Sequence, residues 1–145
     1  MQIIVTGHGR FASGIESTVK LLAGKIDNVT YIDFTENMGE EELAQRFYKQ
    51  FLKDDQVLFF CDLLGGTPYK QAVMLKMDNQ KSDIAVVCGC NVGSLLENGL
   101  RGLDNFKNTN QLAKNIIDSA KNGIKQFGLQ SPSEQNQAES DQEGI

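Results

Sequence analysis

Two residues in this chain have the types and surroundings for group-transfer chemistry. His8 stands between Gly7 and Gly9 in "IIVTGHGRF", and Asp62 precedes the turn "LLGGTP". His8 is the one histidine in 145 residues. An imidazole with a carboxylate on one ring nitrogen is fixed in tautomer and orientation. Its other nitrogen is then a free lone pair, usable as base or nucleophile. Glycines let a bound group approach the backbone. The N–H groups of Gly7, Gly9, Gly65, Gly66 and Thr67 can line an anion nest. That set suits a histidine that attacks or carries a phosphoryl group, whose spread charge is stabilised by positioned donors. The same residues also fit plainer uses. A histidine in a glycine-rich loop can be a turn residue, and Asp62 can cap a turn. "GGTP" is turn chemistry in either case. It lacks the Walker A lysine and does not match G-x-G-x-x-G.

The elements around these residues decide whether they meet. Residues 2–6 form a short, β-branched apolar run that predicts a buried strand. In "FASGIESTVKLLAGK", Ile15, Val19, Leu22 and Ile26 recur at helical spacing. Ser13 and Glu16 have capping-box spacing, and Gly24 fits a helix stop. Residues 28–34 predict a second strand. "GEEELAQRFYKQFLKD" predicts an amphipathic helix with Leu43, Phe47 and Phe51 on one face and an acidic first turn. Residues 56–62 predict a third strand. Thr67 then reads as a hydroxyl N-cap with Pro68 at the first helical position. Residues 82–90 predict a fourth strand. Helical segments follow at about 92–103 and 108–122, with Leu112, Ile116 and Ala120 four apart. "GIKQFG" (123–128) reads as a short last strand.

Strictly alternating strands and helices imply an α/β fold: an open, mostly parallel, doubly wound sheet with helices on both faces. Ligand chemistry in such sheets sits at the carboxyl ends of the strands, near the switch point. With a strand order of 2-1-3-4, the first and third strands are neighbours, and His8 and Asp62 open onto one crevice.

Composition narrows the function. One domain is expected over 1–129. From 130 the composition turns polar ("QSPSEQNQAESDQEGI") and predicts a disordered tail. The formal net charge of -5 argues against a general nucleic-acid binder and suits a partner with a basic face. There is no signal-peptide pattern and no apolar run of about 20 residues, as a membrane span would need. Cys61, Cys88 and Cys90 are odd in number and lie in apolar runs. They read as buried free thiols of a cytoplasmic protein, not as a metal or redox pair. No cofactor and no metal are expected.

The stretches "IIVTGHGRFASGI", "YIDFTENM", "VLFFCDLLGGTPYKQA" and "VVCGCN...LLE" together resemble the mannose-family EIIA component of the bacterial phosphoenolpyruvate-dependent sugar phosphotransferase system. The likeness runs from about residue 1 to 127. It implies that His8 accepts a phosphoryl group from the phosphocarrier HPr and passes it to EIIB, which works with the membrane components EIIC and EIID. It implies that Asp62 orients His8. It also implies a sheet of order 2-1-3-4-5, whose antiparallel fifth strand, here "GIKQFG", is exchanged in a homodimer. The chain departs from the family pattern G-x-N-[LIV]-P-M-L at Gly93 and Ser94, a change placed at the rim facing EIIB. The wording "TGHGxFASG" is similar to members assigned to amino sugars such as N-acetylgalactosamine, with mannose and gluconate members close by. Two other readings use the same residues. One is a phosphotransfer subunit serving a dihydroxyacetone kinase. The other is an anion-binding regulatory module without turnover.

Overall fold

The computed structural model describes residues 1–129, and the polar segment 130–145 lies outside them. The chain alternates β1 (Gln2–His8), α1 (Phe11–Ala23), β2 (Val29–Phe34), α2 (Glu40–Phe51), β3 (Val57–Cys61), α3 (Thr67–Asp78), β4 (Ile84–Cys88) and α4 (Val92–Leu100). A 3-10 turn (Leu103–Asn105) and α5 (Thr109–Gly123) complete it. The four strands form one parallel sheet, as the alternation predicts, and their order is β2-β1-β3-β4, the one that the family resemblance implies for them. β1 and β3 are therefore adjacent, and the chain direction of the winding reverses between them.

The sheet is buried on both sides, which is why β1 and β3 read as unbroken apolar runs. Odd-numbered residues of β1 (Ile3, Val5) pack with Ala12 and Val19 of α1, Leu95 of α4, and Leu112 and Ile116 of α5. Ile4 of β1, with Phe59 of β3, packs on the opposite face against Leu43, Phe47 and Phe51 of α2 and Ala72 of α3. Phe47 and Phe59 meet ring to ring at 4.8 Å. The period-two alternation of strand side chains thus assigns each strand residue to one helical layer or the other.

Several local expectations change. β1 runs on to His8, because His8 still pairs in register with Phe34 of β2. Ser13 lies inside α1 and is not its cap; the helix starts at Phe11 after Arg10, and Asp33 of β2 accepts the Ser13 N–H at 2.9 Å. Leu22 is exposed, since the buried line of α1 passes through Ala12 and Val19 and leaves Leu22 on the outer face. Thr67 is the first residue of α3, and Gly66 is its N-cap, with no side-chain cap. The helix expected over 92–103 ends at Leu100, and Gly102, at φ 84, turns the chain into the 3-10 segment. Residues 123–128 make no strand in this single chain; α5 ends at Gly123, and a turn follows.

Candidate active site

The carboxyl ends of β1, β2 and β3, with the start of α3, form the site. His8 is the last residue of β1 and its side chain is 43% exposed, so it remains reachable. Asp62 is the first residue past β3. Its N–H still bonds to the Thr6 carbonyl at 3.1 Å, so its backbone is held against β1. Its carboxylate is only 11% exposed.

Oδ2 of Asp62 accepts two hydrogen bonds from the same residue. One comes from the His8 backbone N–H at 2.9 Å and one from ring Nδ1 at 2.8 Å. Oδ1 accepts the Leu63 N–H at 2.8 Å. Burial alone would raise the pKa of Asp62. The bonds from the His8 backbone, the His8 ring and the Leu63 backbone outweigh it and hold the carboxyl below the usual carboxylate range. An ionised carboxylate only accepts, so Nδ1 carries the hydrogen, and in the neutral ring Nε2 bears the free lone pair.

The glycines around this pair do distinct jobs. A Cβ on Gly66 would lie 2.5 Å from His8 Cε1 and 3.3 Å from Nε2. Gly66 therefore lets the N-terminus of α3 sit directly against the nucleophilic edge of the ring. The first N–H groups of a helix have no intrahelical partner, and that end carries positive partial charge. A Cβ on Gly7 would meet Phe11 Cδ1 at 2.5 Å and Asp62 Cβ at 2.8 Å, so Gly7 makes room for the pair. Gly9 adopts φ 62, and its N–H is already given to the Phe34 carbonyl at 2.8 Å. Its contribution is the turn, not a donor. Gly65, at φ 76 with open space beside it, shapes the approach to α3. The Thr67 hydroxyl faces Glu40 of α2 at 3.4 Å.

Three residues around the site, Phe34, Leu63 and Leu64, drew no chemical role from the sequence. The ring of Phe34 meets the His8 ring edge-on at 5.8 Å and 74°. Leu63 and Leu64, 50% and 70% exposed, form an apolar lip beside the site. Cys88 and Cys90 pack toward opposite faces of the sheet with Gly89 between them at φ 81, so they do not form a joint ligand pair. Burial pushes the Cys61 thiol up, and pushes Cys90 up to about 12. Among the described residues no three His, Cys, Asp or Glu side chains cluster to hold a metal.

Comparison with known proteins is consistent across sequence and structure. The family model EIIA-man, described as "PTS system fructose IIA component", matches residues 2–122. A fructose-specific EIIA component from Bacillus subtilis is 33% identical over 101 residues, 67% of each chain. A mannose-specific EIIAB component from Escherichia coli K12 is 29% identical over 126 residues, 85% of this chain but 38% of that protein. The chain thus spans well under half of the two-part relative. Among solved structures, an EIIA component from Streptococcus agalactiae superposes with a TM-score of 0.81 at 30% identity, covering 87% of this chain and 96% of the other.

Proposed function

We propose, from the premise that this chain belongs to the EIIA-man family and is a phosphoryl carrier of the sugar phosphotransferase system, that Nε2 of His8 is the atom that carries the phosphoryl group. The observation that carries this reading is the double hold of Asp62 Oδ2 on His8, which leaves Nε2 free beside the start of α3. The donor is the phosphohistidine of HPr. The Nε2 lone pair attacks phosphorus in line, and the donor's P–N bond breaks with its electron pair returning to the donor imidazole. The hydrogen on Nδ1 stays in its bond to Asp62 throughout. The positive charge that grows on the His8 ring is balanced by the Asp62 carboxylate. The N–H groups of Gly65, Gly66 and Thr67 receive the phosphoryl oxygens. Reversal onto the nucleophile of EIIB completes the relay.

EIIB is the acceptor in this reading and works with EIIC and EIID in the membrane. No helix among the described residues is long and apolar enough to cross a membrane, which fits a cytoplasmic carrier. The named relatives are fructose- and mannose-specific components, which favours sugar transport over service to a dihydroxyacetone kinase. We also read the working form as a homodimer. β4 is an edge strand, and beyond α5 the chain presents Ile124 and Phe127, 80% and fully exposed, in reach of a second copy.

Intact mass after incubation with phosphoenolpyruvate, enzyme I and HPr tests the central claim. Wild type gains one acid-labile phosphoryl group and His8→Ala gains none. A labelled His8→Ala protein overturns the assignment.

A further inference from the structure

His8 is gripped from β3 by Asp62, but a ring held at one nitrogen alone can still tilt about that bond. The structure places a second hold on the other side. β2 flanks β1 opposite to β3, and its last two residues reach the His8 region in two different ways. Because strand side chains alternate, Phe34 projects into the layer of α2 and α3, where Ile4 of β1 also points. There its ring stands edge-on to the imidazole at 5.8 Å. Its neighbour Asp33 takes the Ser13 N–H of α1 on Oδ1 at 2.9 Å, where Arg10 supplies no cap of its own. The Phe34 carbonyl takes the Gly9 N–H at 2.8 Å. Three successive features after His8 are thereby tied to one strand end: the ring, the turn at Gly9, and the first turn of α1.

We propose that Asp33 and Phe34 form a positioning unit for His8, with Phe34 setting the plane of the imidazole and Asp33 fixing the turn that leaves it. An aromatic pair of this geometry favours one relative orientation of the two rings. With Asp62 holding Nδ1 and Phe34 holding the ring plane, Nε2 points along one line, toward the start of α3. In-line transfer needs that alignment, and small misplacements of a reacting atom are costly. The proposal rests on the reading that His8 carries the phosphoryl group. Its test separates the two.

The sole histidine gives an uncrowded ring spectrum. In the full-length chain with 15N-labelled histidine, wild type is expected to show one tautomer, with Nδ1–H observable, and a cross-relaxation signal between the His8 and Phe34 rings. Phe34→Leu is expected to lose the observable Nδ1–H signal while remaining folded. Its phosphoryl transfer from phospho-HPr should fall by about tenfold to a hundredfold, the range expected for a misplaced reacting group. Phe34→Tyr, which keeps the ring, is expected to restore both. Asp33→Ala is expected to broaden the Nδ1–H signal, and Asp33→Asn, which keeps the accepting oxygen, to leave it sharp. A folded Phe34→Leu protein with unchanged tautomer signal and rate overturns the proposal. So does a wild type with no signal between the two rings, which settles the matter even if Phe34→Leu does not fold. A wild type that takes no phosphoryl group on His8 defeats the functional reading instead, and leaves the ring measurements standing.

Discussion

Each residue of the site is held by a contact that a single atom can undo. Asp62→Asn keeps the size of the side chain and removes its charge. The amide can turn either an oxygen or an N–H toward Nδ1, so the tautomer is no longer dictated. Transfer from phospho-HPr should slow by on the order of 100-fold, the low end of what a positioned proton partner contributes. Single-turnover kinetics measure this, and an unchanged rate removes the orienting role. Gly66→Ala makes a different test. The new methyl would lie 2.5 Å from His8 Cε1, so the ring must leave its bond to Asp62. Phosphorylation should be lost by intact mass while the melting curve stays cooperative. Gly65→Ala is the matched control: the space there is open, and only the positive φ of 76 resists a side chain. It keeps the backbone N–H that the proposed cradle uses, so it should cost roughly 1–2 kcal/mol of stability and leave His8 able to accept the group.

At the scale of elements, the site is a product of strand endings, and these were partly legible in the sequence. The parallel sheet and its four described strands follow from alternating apolar runs and helical periods, whereas the meeting of His8 with Asp62 needs β1 beside β3, an order that the family resemblance implies and periodicity does not fix. The starts of α4 and α5 lie where the helical spacing puts them, but the caps of α1 and α3 differ from the local pattern. Ser13 and Glu16 have the right spacing for a capping box, yet α1 is capped from β2 by Asp33. A partner 20 residues away leaves no local pattern. The same holds for Phe34, whose ring meets His8 only because β2 pairs with β1 in one register. At the opposite end of the sheet, Asp83 performs similar work for α5. It accepts the Thr109 hydroxyl at 2.6 Å, the Thr109 N–H at 3.1 Å and the Gln56 amide at 3.0 Å. Asp83→Ala strands those donors and should lower unfolding stability by about 1–3 kcal/mol, read by urea titration, with phosphorylation at the distant site retained.

For the whole molecule, acid sensitivity follows from these two aspartates. Burial would raise both pKa values, but hydrogen bonds to His8 and Leu63 in one case, and to Thr109 and Gln56 with the nearby Lys76 charge in the other, hold both lowered. A group depressed in the folded state contributes stability above its unfolded pKa and loses it as pH falls through the folded value. Stability from this source should hold down to about pH 4 and decline below it. The acid limb should flatten in the Asp62→Asn, Asp83→Asn double variant, as followed by circular dichroism. Assembly has its own test: Phe127→Asp should convert the proposed homodimer to monomer in sedimentation velocity. The double hold of one carboxylate oxygen on both backbone and ring of His8 has a consequence for how cargo travels. Carriers with long swinging arms move their load by rotating bonds, whereas in the proposed role this imidazole is a short, locked handle. Each hand-over must therefore occur within a docked pair of proteins. Throughput then depends on how often partners collide in the right pose. It should respond to ionic strength and to tethering, which raises the local concentration of a partner, more than to any mobility of the side chain that bears the load.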